Sequence, residues 1–119
     1  MFQVLVIYLK SFKDRGRLKE KAWREMIDMD PQVVIDFWFK ETPAESWFNG
    51  GTVFDQTIIT KFGALHQAAS QGELAHWRQS IHGYLAEIIL LDQFSRNIYR
   101  NQAQAFAYDG MALILAQEA

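Results

Sequence analysis

The feature that most constrains this chain is a stripe of apolar residues, Phe54, Ile58, Phe62, Leu65 and Ala69, recurring at steps of four, four, three and four. Only a helix of 3.6 residues per turn places those positions on one face. Gly72 supplies its stop, because glycine takes the left-handed conformation that ends a helix at no steric cost. Upstream, Asp30-Pro31 reads as an N-cap followed by proline at the first helical position, where a missing N–H is harmless. The short helix it opens carries Val33, Val34, Phe37 and Trp38. It ends near Lys40, since Thr42 precedes Pro43 and is pushed out of the α region. Thr42-Pro43-Ala44-Glu45 repeats the start signal as a capping box for a turn bearing Trp47 and Phe48, and Asn49-Gly50-Gly51 breaks that turn.

Downstream, Glu73 to Arg78 reads as a short linking helix pinned by Leu74 and Trp77. A third long helix is expected from about 81 to 97, with Leu85, Ile88, Ile89, Leu91 and Phe94 apolar on more than one face. That pattern makes it the central, most buried helix. A fourth begins near Gln102 and carries Phe106, Leu113 and Ile114. No segment shows sustained period-two alternation, and Val4 to Leu9 is the one strand candidate. The expected fold class is therefore all-α, an antiparallel helical array. Residues 112–119 are good helix sequence with no Gly, Asn or Pro to stop them, so the expectation is a fold truncated at its C-terminus. Such a last helix exposes apolar surface through which the chain could self-associate.

Composition narrows the function classes. Half of the residues are hydrophobic and 14% aromatic, which supplies a core and rules out a disordered chain. There is no Cys, so neither a disulfide framework nor thiolate chemistry is available; this fits a cytoplasmic protein. No stretch approaches the roughly 18–20 apolar residues of a membrane span. The net charge of −2 hides an asymmetry: residues 1–25 hold seven basic and three acidic side chains (+4), and the remainder five basic and eleven acidic (−6). Residues 1–29 are therefore expected to be a basic N-terminal extension outside the fold, and 30–119 the helical domain. The basic stretch 10–25 has few aromatics and gives no strong nucleic-acid signal; a solvated tail is the simpler reading.

The elements Val34-Ile35-Asp36-Phe37-Trp38-Phe39, Trp47-Phe48, Phe54-Asp55 and Gly72-Glu73-Leu74 with Trp77 resemble one bacterial family in the right order. The undecapeptide Leu90-Leu91-Asp92-Gln93-Phe94-Ser95-Arg96-Asn97-Ile98-Tyr99-Arg100 and Ala105-Phe106-Ala107-Tyr108-Asp109 complete the match, over about residues 30 to 119. This is the domain-of-unknown-function family nine-two-four. The resemblance implies an all-helical fold similar to a tetratricopeptide-like superhelix, although no internal period of about 34 residues occurs here. It also implies a natural start near Met26 or Met29 and further helices beyond residue 119. It implies no activity.

The polar residues with chemical potential concentrate in that undecapeptide. Asp92, Arg96 and Arg100 are four apart on one helical face, with Gln93 and Asn97 in a second row beside them. One reading is structural, with Asp92–Arg96 a helical ion pair in the favourable orientation. The other is a site in which Arg96 and Arg100 receive an anionic ligand and Asp92 and Gln93 orient them, because the planar guanidinium fork matches carboxylate or phosphate. Asp36 in its aromatic setting, able to pair with an arginine such as Arg96, and Trp38 are further candidates for lining such a site.

His66, His76 and His82 have no metal-ligand spacing, so no metal or cofactor is expected. Ser95 lies outside any Gly-x-Ser-x-Gly elbow and has no identifiable base, and Gly50-Gly51 is not a phosphate loop. Three functional readings remain open. The chain is a binding module for a peptide, a protein or a small ligand; or an enzyme or anionic-ligand binder using Asp92, Gln93, Arg96, Asn97 and Arg100; or a non-functional fragment of a longer domain.

Overall fold

A wide turn in the middle of the central helix organises the molecule. In the computed structural model, which describes residues 17–119 (the side chains of residues 17–19, 22, 48 and 49 aside), helix α1 spans Arg17–Ile27, α2 Gln32–Asp36, α3 Ser46–Asn49 and α4 Gly51–Ser70. Helices α5 (Ile81–Ile88), α6 (Ser95–Ile98) and α7 (Asp109–Glu118) follow, and no strand occurs among the described residues. Two π-helical turns, Phe37–Glu41 and Ile89–Phe94, extend α2 and join α5 to α6. Residues 81–98 thus form one continuous rod, the expected third helix with an unexpected wide centre. Short 3₁₀ turns at Ala75–Trp77 and Ala103–Phe106 connect the rest. The fold is all-helical, as its apolar spacing requires. The strand candidate Val4 to Leu9 lies outside the described residues.

Helix α4 packs against the π turn at 89–94 and against α6, while α5 packs on α2 and α7. Of the α4 stripe, Ile58, Phe62, Leu65 and Ala69 are buried and Phe54 is half-buried. Facing them, Leu90, Leu91 and Phe94 are completely inaccessible. Phe94 meets Phe62 at 5.0 Å, Trp38 at 5.7 Å and Phe37 at 6.0 Å between ring centroids, the last two edge-on. Such pairs add about 0.5–1.5 kcal/mol each beyond the area they bury.

The helix punctuation is realised in part. Asp30 Oδ1 accepts the Gln32 N–H at 2.9 Å, as its cap position demands. Gly72 takes φ +75, and the next residue, Glu73, donates its N–H back to Ala68 O at 2.9 Å. The Thr42 capping box does not form. Thr42 donates its hydroxyl to Phe37 O at 2.7 Å, closing the preceding π turn, and α3 has no side-chain cap. The α region is denied to Thr42, whose φ of −100 and ψ of +121 are extended, as the following proline requires.

Two further contacts tie the periphery down. Arg78, just after the 3₁₀ turn, donates Nε and Nη2 to the fully buried Glu87 of α5 at 3.0 and 2.8 Å. Removing the arginine would leave an uncompensated buried carboxylate, at a cost of about 3–5 kcal/mol. Helix α1 lies in the segment expected to stand outside the fold, yet Trp23, Met26, Ile27 and the following Met29 rest against the core. His76 Nε2 donates to Ile27 O at 2.8 Å. At the other end, Leu113 and Ile114 of α7 are more than half exposed. No described helix is long and apolar enough to cross a membrane.

At Gly83 the backbones pack so closely that an added Cβ would overlap Trp77 O. Among the described residues, nothing lies within 4 Å of the same position at Gly110 in α7. Gly83→Ala is therefore expected to destabilise by about 1–3 kcal/mol through overpacking. Gly110→Ala should instead be neutral or stabilising by up to about 1 kcal/mol through helix propensity. Urea unfolding of both variants checks the contrast, and equal midpoints would contradict the packing described.

Candidate functional site

A π turn carries one more residue than an α-helical turn and gives up hydrogen-bond geometry, so it persists mainly where the displaced side chains matter. The turn at 89–94 carries Asp92 and Gln93, and α6 with its C-terminal turn carries Arg96, Asn97 and Arg100. These five residues, together with Trp47, line a single cleft of about 320 Å³. That is the lower end of the size range of small-molecule sites. A second cleft of about 450 Å³ adjoins it, sharing Arg96 and Arg100 and lined further by Asn101, Gln102 and Phe106.

The two arginines are anchored by different elements. Arg100 donates Nε and Nη2 to Asp55 of α4 at 2.5 and 2.8 Å, and Asn97 Nδ2 donates to the same carboxylate at 2.9 Å. Arg100's hydrogen bond is the main reason the Asp55 carboxyl is held below its usual range; burial opposes it and Asn97 assists. The same hydrogen bond raises the Arg100 guanidinium. Arg96 donates Nη1 to Asp92 Oδ1 at 2.6 Å and to Asp92 O at 2.7 Å. Its Nη2 lies 3.6 Å from Asp109 Oδ2, and its guanidinium stands 5.1 Å from the centre of the Phe106 ring. Gln93 Nε2 donates to the other Asp92 oxygen at 2.8 Å. Among the described residues, Arg96 Nε and Arg100 Nη1 have no hydrogen-bond partner. The helical ion pair therefore forms, and each fork still presents free N–H groups.

Trp38 and Asp36 sit elsewhere. Trp38 is buried behind the cleft wall: its ring stacks on Trp47 at 5.7 Å, and its carbonyl accepts Trp47 Nε1 at 3.0 Å. It supports the lining residue without lining the cleft itself. Asp36 pairs with neighbours on its own helix and not with Arg96. Gln32 Nε2 donates to it at 2.9 Å and Lys40 Nζ stands at 3.4 Å. The Gln32 hydrogen bond is the main cause of its lowered pKa. Its place on the chain, four residues after Gln32 and four before Lys40, makes local pairing available without a long-range partner.

Sequence spacing gave no sign of two contacts near this site. Asp55 reaches Arg100 across 45 residues. His66, fully buried, holds its Nε2 2.7 Å from Ser95 Oγ across 29 residues. Ser95 donates its hydroxyl to Leu91 O at 2.6 Å, so His66 Nε2 must be the donor in the pair. The imidazole thus supports Ser95 and cannot accept its proton in this arrangement. Burial lowers the His66 pKa to about 4, and among the described residues its Nδ1 has no partner. Among the described residues no cluster of His, Cys, Asp and Glu is placed to hold a metal ion.

The site and fold together define an all-helical domain with a polar cleft built at a π turn. The chain belongs to the bacterial family of proteins of unknown function DUF924, whose model matches residues 34–119. It is similar to the solved structure of the protein of unknown function ATU0120 from Agrobacterium tumefaciens, with 36% sequence identity and a TM-score of 0.69. That likeness covers 74% of this chain and 49% of the relative, so the chain spans about half the relative's length. No curated protein matches the chain.

The buried histidine sets a pH dependence. His66 is neutral in the folded chain down to about pH 4, whereas the unfolded chain takes up a proton near 6.5. Stability is therefore expected to fall as pH drops from about 6.5 to about 4, by at most about 1.4 kcal/mol per pH unit. Asp55, with its lowered pKa, stabilises above its unfolded value of 3.8, and that part is lost only at still lower pH. His66→Gln should remove the decline between 6.5 and 4 in urea titrations; an unchanged decline would contradict it.

Proposed function

We propose that this chain is a binding module, and that its cleft receives a small ligand carrying an oxyanion, a carboxylate in the first instance. The single observation that carries the reading is the convergence of Asp92, Gln93, Arg96, Asn97 and Arg100 with Trp47 on one cleft at a π turn. Free guanidinium N–H groups are planar, charged donors that pair best with carboxylate or phosphate oxygens. The acids that hold each arginine fix the direction of its free edge, so less side-chain freedom is lost when a ligand binds. Binding ranks above catalysis. Ser95 is committed to Leu91 O and the buried His66 acts as its donor, which leaves no activated nucleophile there. The tetratricopeptide-like architecture and a cytoplasmic setting belong to the same proposal, since helical arrays of that kind present grooves to ligands.

A ligand that binds only the folded state raises its melting temperature. Sodium acetate and inorganic phosphate, compared with chloride at equal ionic strength, are expected to raise the melting temperature of the full chain. Arg96→Ala should lose that rise while keeping its helical circular-dichroism spectrum. No anion-dependent rise in the unmodified chain, or a full rise retained in Arg96→Ala, would overturn the reading.

A further inference from the structure

We infer that the natural occupant is a short peptide segment with one acidic side chain between apolar neighbours, laid across both clefts with its carboxylate at the arginines. The inference rests on the carboxylate reading above and adds the rest of the ligand. Three observations support it.

The first is continuity. The clefts of about 320 and 450 Å³ share Arg96 and Arg100 and differ in their other walls. The arginines therefore stand between two spaces, and an occupant held by them has room on either side. A single small anion would leave most of both empty.

The second is the apolar surface flanking the arginines. Trp47 lines the first cleft and is braced from behind by Trp38. Phe106 lines the second, 60% exposed, with the Arg96 guanidinium against its ring. An exposed phenylalanine beside a paired arginine offers side-chain area to an apolar neighbour of the bound acid. Polar acceptors are also present: among the described residues Gln93 and Asn97 each use only their amide nitrogen, leaving a carbonyl oxygen for backbone N–H groups.

The third is charge. Around the arginines stand Asp55, Asp92 and Asp109, three acids against two bases. A polyanion such as a nucleic acid strand meets net repulsion there, and residues 26–119 carry −6 in all. One carboxylate on an otherwise neutral chain adds a single negative charge, which the free N–H edges can pair, whereas a strand adds one at every phosphate. These features select a peptide over an oligonucleotide.

Isothermal titration calorimetry on the full chain tests the span. The probes are acetyl-Leu-Glu-Leu-amide, its Gln counterpart acetyl-Leu-Gln-Leu-amide, and acetyl-glutamate-amide. The Glu tripeptide is expected to bind at least about tenfold more tightly than acetyl-glutamate-amide, and the Gln counterpart to lose about tenfold or more. Phe106→Ala should remove most of the tripeptide's advantage, read as the ratio of its affinity to that of acetyl-glutamate-amide within the same variant. If Phe106 merely positions Arg96, both affinities fall together and the span is overturned. A tripeptide no tighter than acetyl-glutamate-amide, or a preference for a single-stranded oligonucleotide, overturns it equally, and in the first case the carboxylate site stands. If no carboxylate probe binds, the carboxylate reading itself falls and takes the peptide with it.

Discussion

The packing of Phe94 is the constraint on which the rest of this molecule depends. It closes the π turn of the central rod, is wholly inaccessible, and is met by Phe37 and Trp38 from the other π turn and by Phe62 from α4. Because interiors are close-packed, the rotation of the rod at this point is held by aromatic rings on several sides. The same rotation decides where Asp92, Gln93, Arg96, Asn97 and Arg100 emerge. Core and cleft are thus two faces of one wide turn: one sets the aromatic contacts, the other sets the polar row.

The electrostatics of the cleft follow from how its arginines are tethered. Arg100 is fastened across the fold to Asp55, which joins α4 to the end of the rod; Arg96 is fastened within its own helix to Asp92 and leans toward Asp109 of α7. Both forks are partly consumed and partly free. An arginine tethered in this way gives up some attraction for an anion, because its charge is already balanced. It gains direction, since its remaining N–H groups point where the fold sets them. The Asp55 pairing also accounts for a buried carboxylate on α4: Arg100 and Asn97 satisfy it.

How much of this could be read beforehand depends on how local the signal was. The four-residue and three-residue apolar steps in α4 placed that helix, and the signals at Asp30 and Gly72 placed the start of α2 and the end of α4. The polar row 92–100 was legible as one patch, because side chains three and four apart share a helical face. Neither π turn was legible, since a single extra residue leaves no mark in an apolar periodicity already spread round the helix. Thr42 was misassigned to the following turn because its sequence context suits a cap equally well; the nearby Phe37 carbonyl claimed its hydroxyl. Asp36 could not be placed by its aromatic neighbours, and its local partners Gln32 and Lys40 held it on the surface. The Asp55–Arg100 and His66–Ser95 contacts join distant segments, and only the tertiary fold reveals them.

In the proposed reading, Arg96 offers a free, directed guanidinium edge to a carboxylate while Arg100's Nε–H is already held by Asp55. A titration with sodium acetate, followed by nitrogen-15 NMR of the arginine side-chain Nε–H signals, tests it most directly. A saturable shift of the Arg96 Nε–H signal is expected, with the Arg100 Nε–H signal nearly still. Two signals that drift together without saturation, or an Arg96 signal that does not move, would contradict it.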